Sequence, residues 1–443
     1  MAAPTRRPAE FLRVSIYDGR SVDEWLEESI ALWRASPAVL PGLKQPFTAE
    51  EQTHRERHLE QFLRSIELEL RSLPRTRSER QASRQRMTSA FVRFAGAGLE
   101  LEEPHVDLLL GGGFSAIGTE LARQARRFDP NVSTTDILQA SRNAWTACAL
   151  QVLLGRSMHL TPSIFAYSML YPYTDNYLDD PSVSREEKLG FSSRFGYRLA
   201  GADAAPATSR EITIWQLIGL IERQYDRTAW PQIFTSLLAI HRAQNSSISL
   251  LRRGLGSQGI DVVKLSFDKG GASVLTDGYL AAGSLSREQA QFVFGWGVLL
   301  QLADDLQDVR QDHEDGMLTV FSEIAGREPL DELTSRTLQF ADRVMHQMET
   351  LPGPDCRALR DMIERSSRSL LIRSAGDVPE FYSKDYLARL EVHSPFRFSF
   401  VNERRRQLAS RSGLLNRLFE AFLQGDADEP AFPLLPSSLM PRL

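Results

Sequence analysis

The chain has 443 residues, of which 42% are hydrophobic, so it has ample material for a large buried core and one added subdomain. Its 52 basic and 57 acidic residues leave a net charge of −5, which does not support a nucleic-acid partner, because such proteins normally carry a basic surplus. Cys148 and Cys356 are isolated, and no run reaches the roughly 18 apolar residues of a membrane span, so we expect a reduced, cytoplasmic protein with no integral membrane segment.

Residues 1–100 are predicted to form an N-terminal helical extension. Apolar side chains between Trp25 and Trp33 recur at helical spacing, which indicates a short helix that packs on another surface. The segment Thr48-Ala-Glu-Glu51 has the pattern of a capping box and is expected to open a helix that runs to about Leu73. The sequence leaves two roles open for this extension, capping an active site or forming a homodimer.

Residues 101–423 are predicted to form the main domain, an all-α antiparallel bundle. Gly and Pro separate segments of helical periodicity, and no segment alternates with period 2. A helix starts at Thr161-Pro-Ser, and the other predicted helices are 115–127, 134–154, 185–199, 208–227, 231–252, 260–282, 286–310, 330–349 and 356–374. Residues 424–443 hold four prolines and little periodicity, so we expect a disordered or loosely docked tail.

The helix after the Thr-Pro-Ser start ends in an acidic cluster. Asp175 and Asp179 stand at i, i+4, and Asn176 and Asp180 stand at the same offset. All four side chains offer the oxygen ligands that hard cations prefer, and magnesium is usually held by a few carboxylates together with substrate phosphate oxygens and water. Pro172, one turn before Asp175, is expected to kink or interrupt this helix.

A second acidic cluster follows an almost unbroken apolar run that begins at residue 292. In a helix, Asp304, Asp308 and Asp312 fall on one face, with Asp305 beside them. Like charges at that spacing weaken a helix by roughly 0.2–0.5 kcal/mol per pair, and a carboxylate on a segment that looks buried resists leaving water. A bound divalent cation would remove both penalties, whereas a solvated acidic helix end is the alternative for this cluster taken alone.

Together these motifs resemble the trans-prenyl diphosphate synthases and other class I isoprenoid synthases over about residues 155–316. The segment Gln301-Leu-Ala-Asp304-Asp305-Leu-Gln-Asp308 is similar to their second aspartate-rich motif, with Leu300 in the place of a phenylalanine. Asp175-Asn-x-x-Asp179 stands where the first aspartate-rich motif belongs. Lys269-Gly-Gly-Ala272 stands where the family has a diphosphate-binding turn, and Gln244 stands where it has a helix glutamine.

The resemblance implies the isoprenoid synthase type of all-α bundle, with a central metal-lined cavity. It also implies an allylic prenyl diphosphate as the small-molecule partner and Mg²⁺ as the cofactor, with three ions as in the family. The predicted catalytic residues are Asp175, Asp179, Asp304, Asp305 and Asp308. The predicted metal ligands are Asp175, Asn176, Asp179, Asp180, Asp304, Asp305, Asp308 and Asp312. The predicted substrate-binding residues are Lys269, Gln301, Arg185, Gln244 and Tyr171, the last at the position that limits product length in prenyl synthases.

Three departures from the family pattern decide the predicted reaction. First, Gly111-Gly-Gly113 is followed by Phe114 instead of the Lys and Arg residues that hold isopentenyl diphosphate in the family. Second, Asn176 replaces the middle aspartate of the first motif. Third, the Arg-Arg-Gly that usually follows that motif is reduced to a single arginine, Arg185. We therefore predict a Mg-dependent class I terpene synthase that ionises an allylic prenyl diphosphate and cyclises or eliminates to a terpene. The alternatives are a prenyl diphosphate synthase that elongates or couples chains, and a non-catalytic homologue that binds prenyl diphosphates.

Near the C-terminus a turn with proline and phenylalanine leads into Arg404-Arg-Arg406. Arginine pairs with phosphate in fork geometry, so these side chains are a candidate diphosphate contact. The start of a solvated surface helix is the favoured alternative.

Overall fold

The computed structural model describes residues 22–43, 45–111, 113–180, 182–247, 261–351, 356–409 and 411–423. All regular secondary structure in these ranges is helical, which confirms the all-α prediction. In the same ranges, no helix combines the length and the apolar character that crossing a bilayer requires. The predicted tail, residues 424–443, lies outside the described residues.

The helices follow one another with short connections. In chain order they are Val22–Arg34 (α1), Ala49–Arg71 (α2), Arg77–Leu99 (α3), Glu103–Leu110 (α4), Phe114–Phe128 (α5), Thr134–Leu153 (α6), Pro162–Asp179 (α7), Arg185–Leu199 (α8), Ser209–Gln224 (α9), Pro231–Ser247 (α10), Val262–Ala282 (α11), Arg287–Asp315 (α12), Asp331–Met348 (α13), Arg357–Asp377 (α14), Lys384–Glu391 (α15), Phe398–Ala409 (α16) and Ser412–Leu423 (α17).

Local sequence signals start several of these helices where they were predicted. The side chain of Thr48 accepts from the backbone N–H of Glu51, whose own side chain returns to Thr48, so the capping box of α2 is confirmed. Thr161 caps α7 in front of a proline at the first helical position. However, α7 continues through Pro172, so the expected interruption of this helix does not occur.

Helix α11 lies in the middle of the core, between α10 and α12, with α6 packed across it. A short connection joins α11 to α12, and their facing residues pair in opposite chain directions, so the two helices are antiparallel. Their backbones approach closely at Gly270 and Gly297, since a Cβ atom on Gly297 would lie 2.3 Å from the carbonyl oxygen of Gly270. This contact fixes the relative height of Lys269 on α11 and Gln301 on α12.

Helix α1 packs against α11, α12 and α13 and belongs to the same core as the rest of the bundle. Its Trp33 ring meets Phe267 of α11 edge-on, with ring centroids 5.7 Å apart. The apolar face predicted between Trp25 and Trp33 is therefore buried against the bundle. The proposed domain boundary at residue 100 stays a prediction.

Helix α2 is tied to the C-terminal segment by three ion pairs distributed along its length. Arg397, Arg404 and Arg411 pair respectively with three glutamates of α2, Glu56, Glu60 and Glu67. The side-chain amide of Gln52 adds two hydrogen bonds of 2.9 Å to backbone carbonyls in the same segment. Helix α2 thus connects to residues that lie more than three hundred positions later in the chain.

Candidate functional site

A cavity of about 1080 Å³ lies between the α2–α3 pair and helices α6, α11, α12 and α14. Its walls carry large apolar side chains from most of these helices, namely Phe62, Ile66, Phe94, Trp145, Trp296, Leu300, Met362 and Ile363. Polar and charged side chains border it near the acidic half of α12, along α6 and α11, and on α2, α14 and α16. The volume is in the range that holds a drug-sized apolar ligand.

Two neighbouring aspartates of the second acidic cluster lie in different surroundings. Asp304 is exposed and borders the cavity together with Gln301. Asp305 is buried, and its two oxygens accept hydrogen bonds from Gln301 Nε2 at 2.8 Å and from Ser266 Oγ at 3.0 Å. Burial, with a smaller contribution from the charge of Asp304, raises the pKa of Asp305 to about 7. Asp305 therefore ties α12 to α11, while Asp304 faces the cavity.

The acidic row continues along α12 towards Asp308 and Asp312, both of which are half-buried. Burial raises the pKa of Asp312 to about 6, the negative charge of Asp304 adds to this, and the positive charge of Lys269 opposes it. Asp304 and Lys269 therefore each lie within electrostatic reach of Asp312. The predicted role of Lys269 in binding diphosphate stays a prediction.

The predicted Lys269 turn is part of a continuous helix. Residues Lys269 to Ala272 lie inside α11, and the two glycines allow the close contacts with α12, since a Cβ atom on Gly271 would lie 2.2 Å from the ring of Phe294. These glycines are explained by helix packing. Lys269 itself is half-buried on this helix.

Asp175 of the first acidic cluster is buried and held by a neighbouring helix. Its Oδ1 accepts hydrogen bonds from Gln244 Nε2 of α10 at 2.7 Å and from the Thr174 hydroxyl at 3.1 Å. The predicted family glutamine and the first aspartate are thus direct partners. Gln244 positions this carboxylate in the structure, and its predicted role in binding substrate stays a prediction.

Two other members of the first cluster have different partners. The Asn176 amide donates to Asp136 Oδ1 of α6 at 2.9 Å, and Asp180 accepts from the backbone N–H of Ser182 at 2.8 Å. The hydrogen bonds from Ser182 lower the pKa of Asp180. Arg185 is exposed in the first turn of α8, while the side chain of Asp179 lies outside the described residues.

The helices of both acidic clusters border the same cavity. Tyr171, one turn before Asp175 on α7, is 40% exposed and lines the cavity that Asp304 and Gln301 also line. Helix α7 therefore reaches this cavity at Tyr171, and the predicted meeting of the two acidic clusters stays a prediction.

A polar pair on the cavity wall was missed by the sequence interpretation. Asp277 of α11 is fully buried, borders the cavity, and accepts a hydrogen bond of 2.9 Å from Asn143 Nδ2 of α6 on its Oδ1 atom. Its Oδ2 atom has no hydrogen-bond partner among the described residues. A lone aspartate in the apolar run 272–282 was the available signal, because a carboxylate in such a run needs a partner or a function.

The C-terminal arginines form ion pairs within the chain. Arg404 pairs with Glu60 and stacks on Phe400, and Arg405 pairs with Asp377. Both arginines border the cavity, whereas Arg406 is exposed. A diphosphate ligand would have to compete with these carboxylates for Arg404 and Arg405.

The acidic side chains of α7 and α12 are the candidate ligands for Mg²⁺. Within the described ranges, no group of three or more His, Cys, Asp or Glu side chains converges as a metal site would. Mg²⁺ is, however, commonly held by only one or two carboxylates, with water and substrate phosphates completing the shell. Asp304 borders the cavity and Asp308 follows one turn later on α12, so the residues present can offer two such carboxylates to the ion.

No family model, no curated protein and no solved structure matched this chain. The family is therefore not shown, and the resemblance to the isoprenoid synthases stays a prediction.

Proposed function

We propose that this chain is a Mg-dependent class I terpene synthase, which ionises an allylic prenyl diphosphate and cyclises or eliminates to a terpene. One observation carries the proposal. An apolar cavity of about 1080 Å³ is bordered by Asp304 and Gln301 from the second acidic helix and by Tyr171 from the first. A prenyl chain suits such apolar walls, and its diphosphate would lie where the cavity meets Asp304, with Lys269 one residue before the cavity-lining Gly270 on α11.

In this proposal Asp304 and Asp308 of α12, with Asp175 of α7, hold Mg²⁺. The ion, when bound, offsets negative charge on the diphosphate as it departs. Lys269 adds a positive charge at the same place, since it already acts on Asp312. Gln301 has its amide nitrogen fixed by Asp305, so its position beside Asp304 is defined before a substrate arrives.

The remaining chemistry takes place in the apolar part of the cavity. When the allylic C–O bond breaks, its electron pair leaves with the diphosphate and an allyl cation remains. Aromatic faces stabilise such a cation by up to about 2 kcal/mol when water is excluded. Trp296 of α12 and Tyr171 of α7 border the cavity and are suited to this role. Attack by a double bond of the same chain closes a ring, and transfer of a proton from carbon to an oxygen of the released diphosphate completes an elimination.

The direct test is product analysis with C10 to C25 prenyl diphosphates and Mg²⁺. We expect a terpene hydrocarbon or alcohol, detected by gas chromatography, and no product without Mg²⁺. A longer diphosphate, formed only when isopentenyl diphosphate is added, would instead establish the alternative prenyl diphosphate synthase. Binding without turnover of any substrate would establish the non-catalytic homologue.

A further inference from the structure

Two histidines of α2 bring their ring nitrogens together on an exposed face of the helix. His54 and His58 stand one turn apart, and their Nε2 atoms lie 3.2 Å from each other. The rings meet edge to face, with centroids 4.7 Å apart, so they do not stack. His54 is exposed and His58 is half-buried, so an ion can reach the pair from solvent.

The spacing of the two nitrogens suits a single metal ion. Zinc binds histidine nitrogen at about 2.0–2.1 Å, and two such ligands at a tetrahedral angle are about 3.3 Å apart. The observed distance of 3.2 Å is close to this value. One ion can therefore bind both Nε2 atoms while the backbone of α2 stays as it is.

The same distance also allows a hydrogen bond between the rings, in which one Nε2 atom carries a proton and the other accepts it. Neither ring has another hydrogen-bond partner among the described residues, so each Nδ1 atom can carry the proton instead. This change of tautomer leaves both rings neutral. It frees both Nε2 lone pairs for a cation.

The ligand set decides the class of ion. Within the described residues, no third His, Cys, Asp or Glu side chain joins the pair in a metal-binding group, so water would complete the shell of an ion bound here. Imidazole nitrogen suits zinc, copper and nickel, whereas Mg²⁺ is bound by oxygen. The pair therefore fits a divalent transition-metal ion and not the Mg²⁺ expected at the acidic helices.

The pair occupies the part of α2 that meets the end of α3. Arg55, which follows His54, donates a hydrogen bond of 2.9 Å to the backbone carbonyl of Gly98 on α3. His58 lies at the same place, since a Cβ atom on Gly98 would be 3.7 Å from the Cβ atom of His58. An ion on the two histidines would therefore hold one turn of α2 beside this contact.

We propose that His54 and His58 form a binding site for a divalent transition-metal ion such as zinc, which bridges one turn of α2. This inference goes beyond the proposed terpene synthase, because its ligands, its ion and its place in the fold differ from those of the acidic helices. Once one nitrogen binds the ion, the second meets it at a high effective concentration. Removal of either ring should therefore lose most of the affinity that removal of both would lose.

The test is a calorimetric titration of Zn²⁺ into the full chain at neutral pH, in excess Mg²⁺, which competes for oxygen ligands. We expect the wild type to bind one equivalent of Zn²⁺ at this pair. His54→Gln and His58→Gln should each lose on the order of 100-fold in affinity, because each leaves a single nitrogen and no chelate. The double variant should lose little more than either single variant.

The control is His346→Gln, which removes an exposed histidine of α13 whose neighbour is a carboxylate, Glu349, and not a second imidazole. This variant should bind Zn²⁺ as the wild type does. The proposal is overturned if either α2 variant keeps wild-type affinity, or if the wild type binds no Zn²⁺, as expected of two rings that only hydrogen-bond each other.

Glutamine is a good helix former, and the Tm of each variant without metal checks that its fold is intact. Should a variant not fold, Zn²⁺-induced shifts of the ring signals of His54 and His58 in NMR spectra of the wild type make the same test. Unshifted signals would overturn the proposal. The terpene synthase proposal fails or succeeds separately, in the product panel.

Discussion

At the scale of single residues, Asp304 and Asp305 illustrate how one helix gives neighbouring carboxyls separate roles. Successive residues of an α-helix point about 100° apart, so Asp304 meets the cavity while Asp305 faces α11. Asp305 bonds Ser266 and Gln301, and this fixes α12 against its neighbour. The tandem aspartates thus combine a group that can meet a ligand with a group that holds its helix in place.

Asp304→Asn should therefore remove activity and leave the fold intact. If Asp304 holds the ion that stabilises the departing diphosphate, we expect kcat to fall by about 100-fold or more. Thermal unfolding should change little, because the side chain is exposed. Asp315→Asn, a change of an exposed aspartate at the end of the same helix, is the control and should keep wild-type kcat. Full turnover by Asp304→Asn would contradict the proposed metal site.

His241 provides a pH-dependent test of the core. It is 8% exposed, and burial lowers its pKa to about 4. Between pH 6.5 and 4 the unfolded chain binds a proton here and the folded chain does not, so stability falls as the pH is lowered through this window, by up to about 3 kcal/mol. His241→Gln should flatten this dependence in urea unfolding. If the free energy of unfolding falls equally in His241→Gln and in the wild type between pH 7 and pH 4.5, His241 is protonated in the folded state at pH 4.5.

The sequence predicted some of these residue environments and missed others. Spacing along one helix was sufficient to place Asp304, Asp308 and Asp312 on a common face. Spacing could not show that Asp305 bonds Ser266, or that Gln244 reaches Asp175 from another helix, because such contacts depend on how helices pack. Asp277 was visible as an acid in an apolar run, but its partner on α6 was not.

At the scale of the elements, the α11–α12 contact depends on residues without side chains. A Cβ atom on Gly297 would lie 2.3 Å from the carbonyl oxygen of Gly270, and one on Gly270 would lie 2.5 Å from the Cβ atom of Gln301. Backbone cannot yield as a flexible side chain does, so a methyl group here must push the helices apart. Since Lys269 and Gln301 flank the contact, a change in helix spacing also changes the proposed diphosphate site.

Gly297→Ala should consequently destabilise the protein by about 3 kcal/mol, although alanine is the better helix former. Gly96→Ala in the exposed part of α3 is the matched control, because nothing lies within 4 Å of the added Cβ atom. That control should gain up to about 1 kcal/mol. Urea unfolding of both variants checks the prediction, and equal stability of the two would refute the close packing of α11 on α12.

The observed helix bounds agree with the predicted ones where local sequence signals mark the helix ends. Helix α8 coincides with the predicted range 185–199, and α6 differs from its predicted range by one residue, because caps and glycines mark such ends. Helix α7 continued through Pro172, since a proline removes one backbone hydrogen bond and the packing of α7 on α6 and α9 supports the rest. The short α4 was missed because its eight residues span too few turns for a clear period.

At the scale of the whole molecule, ligand binding should be visible as a gain in stability. Mg²⁺ together with inorganic diphosphate should raise Tm, because a ligand that binds only the folded state at 100 times its Kd stabilises it by about 2.7 kcal/mol. Neither component alone should have this effect, since each needs the other at the α12 row. The Asp304→Asn variant should show no rise. An equal rise in that variant would place diphosphate elsewhere, for example at the arginines of α14 and α16.

Which residues form the cavity walls could not be predicted from the sequence. The walls come from helices spread from α2 to α17, and the apolar periodicity that predicts each helix does not show which helix faces leave a space between them. The pairing of α2 with the C-terminal arginines could not be predicted from the sequence either. Glu56 and Arg397 are 341 positions apart, and the local sequence around each residue does not identify its partner.

The ion pairs between α2 and the C-terminal segment can form only late in translation, after the C-terminal arginines have been synthesised. Translation at 5–20 residues per second separates Glu56 from Arg397 by about 20–70 s. Before then α2 can already pack against α3, because Phe62 stacks on Phe94. The side of the cavity next to α16 is absent until Arg397 and Arg404 emerge. The cavity of a nascent chain is therefore open on this side. An apolar ligand that enters it during elongation can dissociate again.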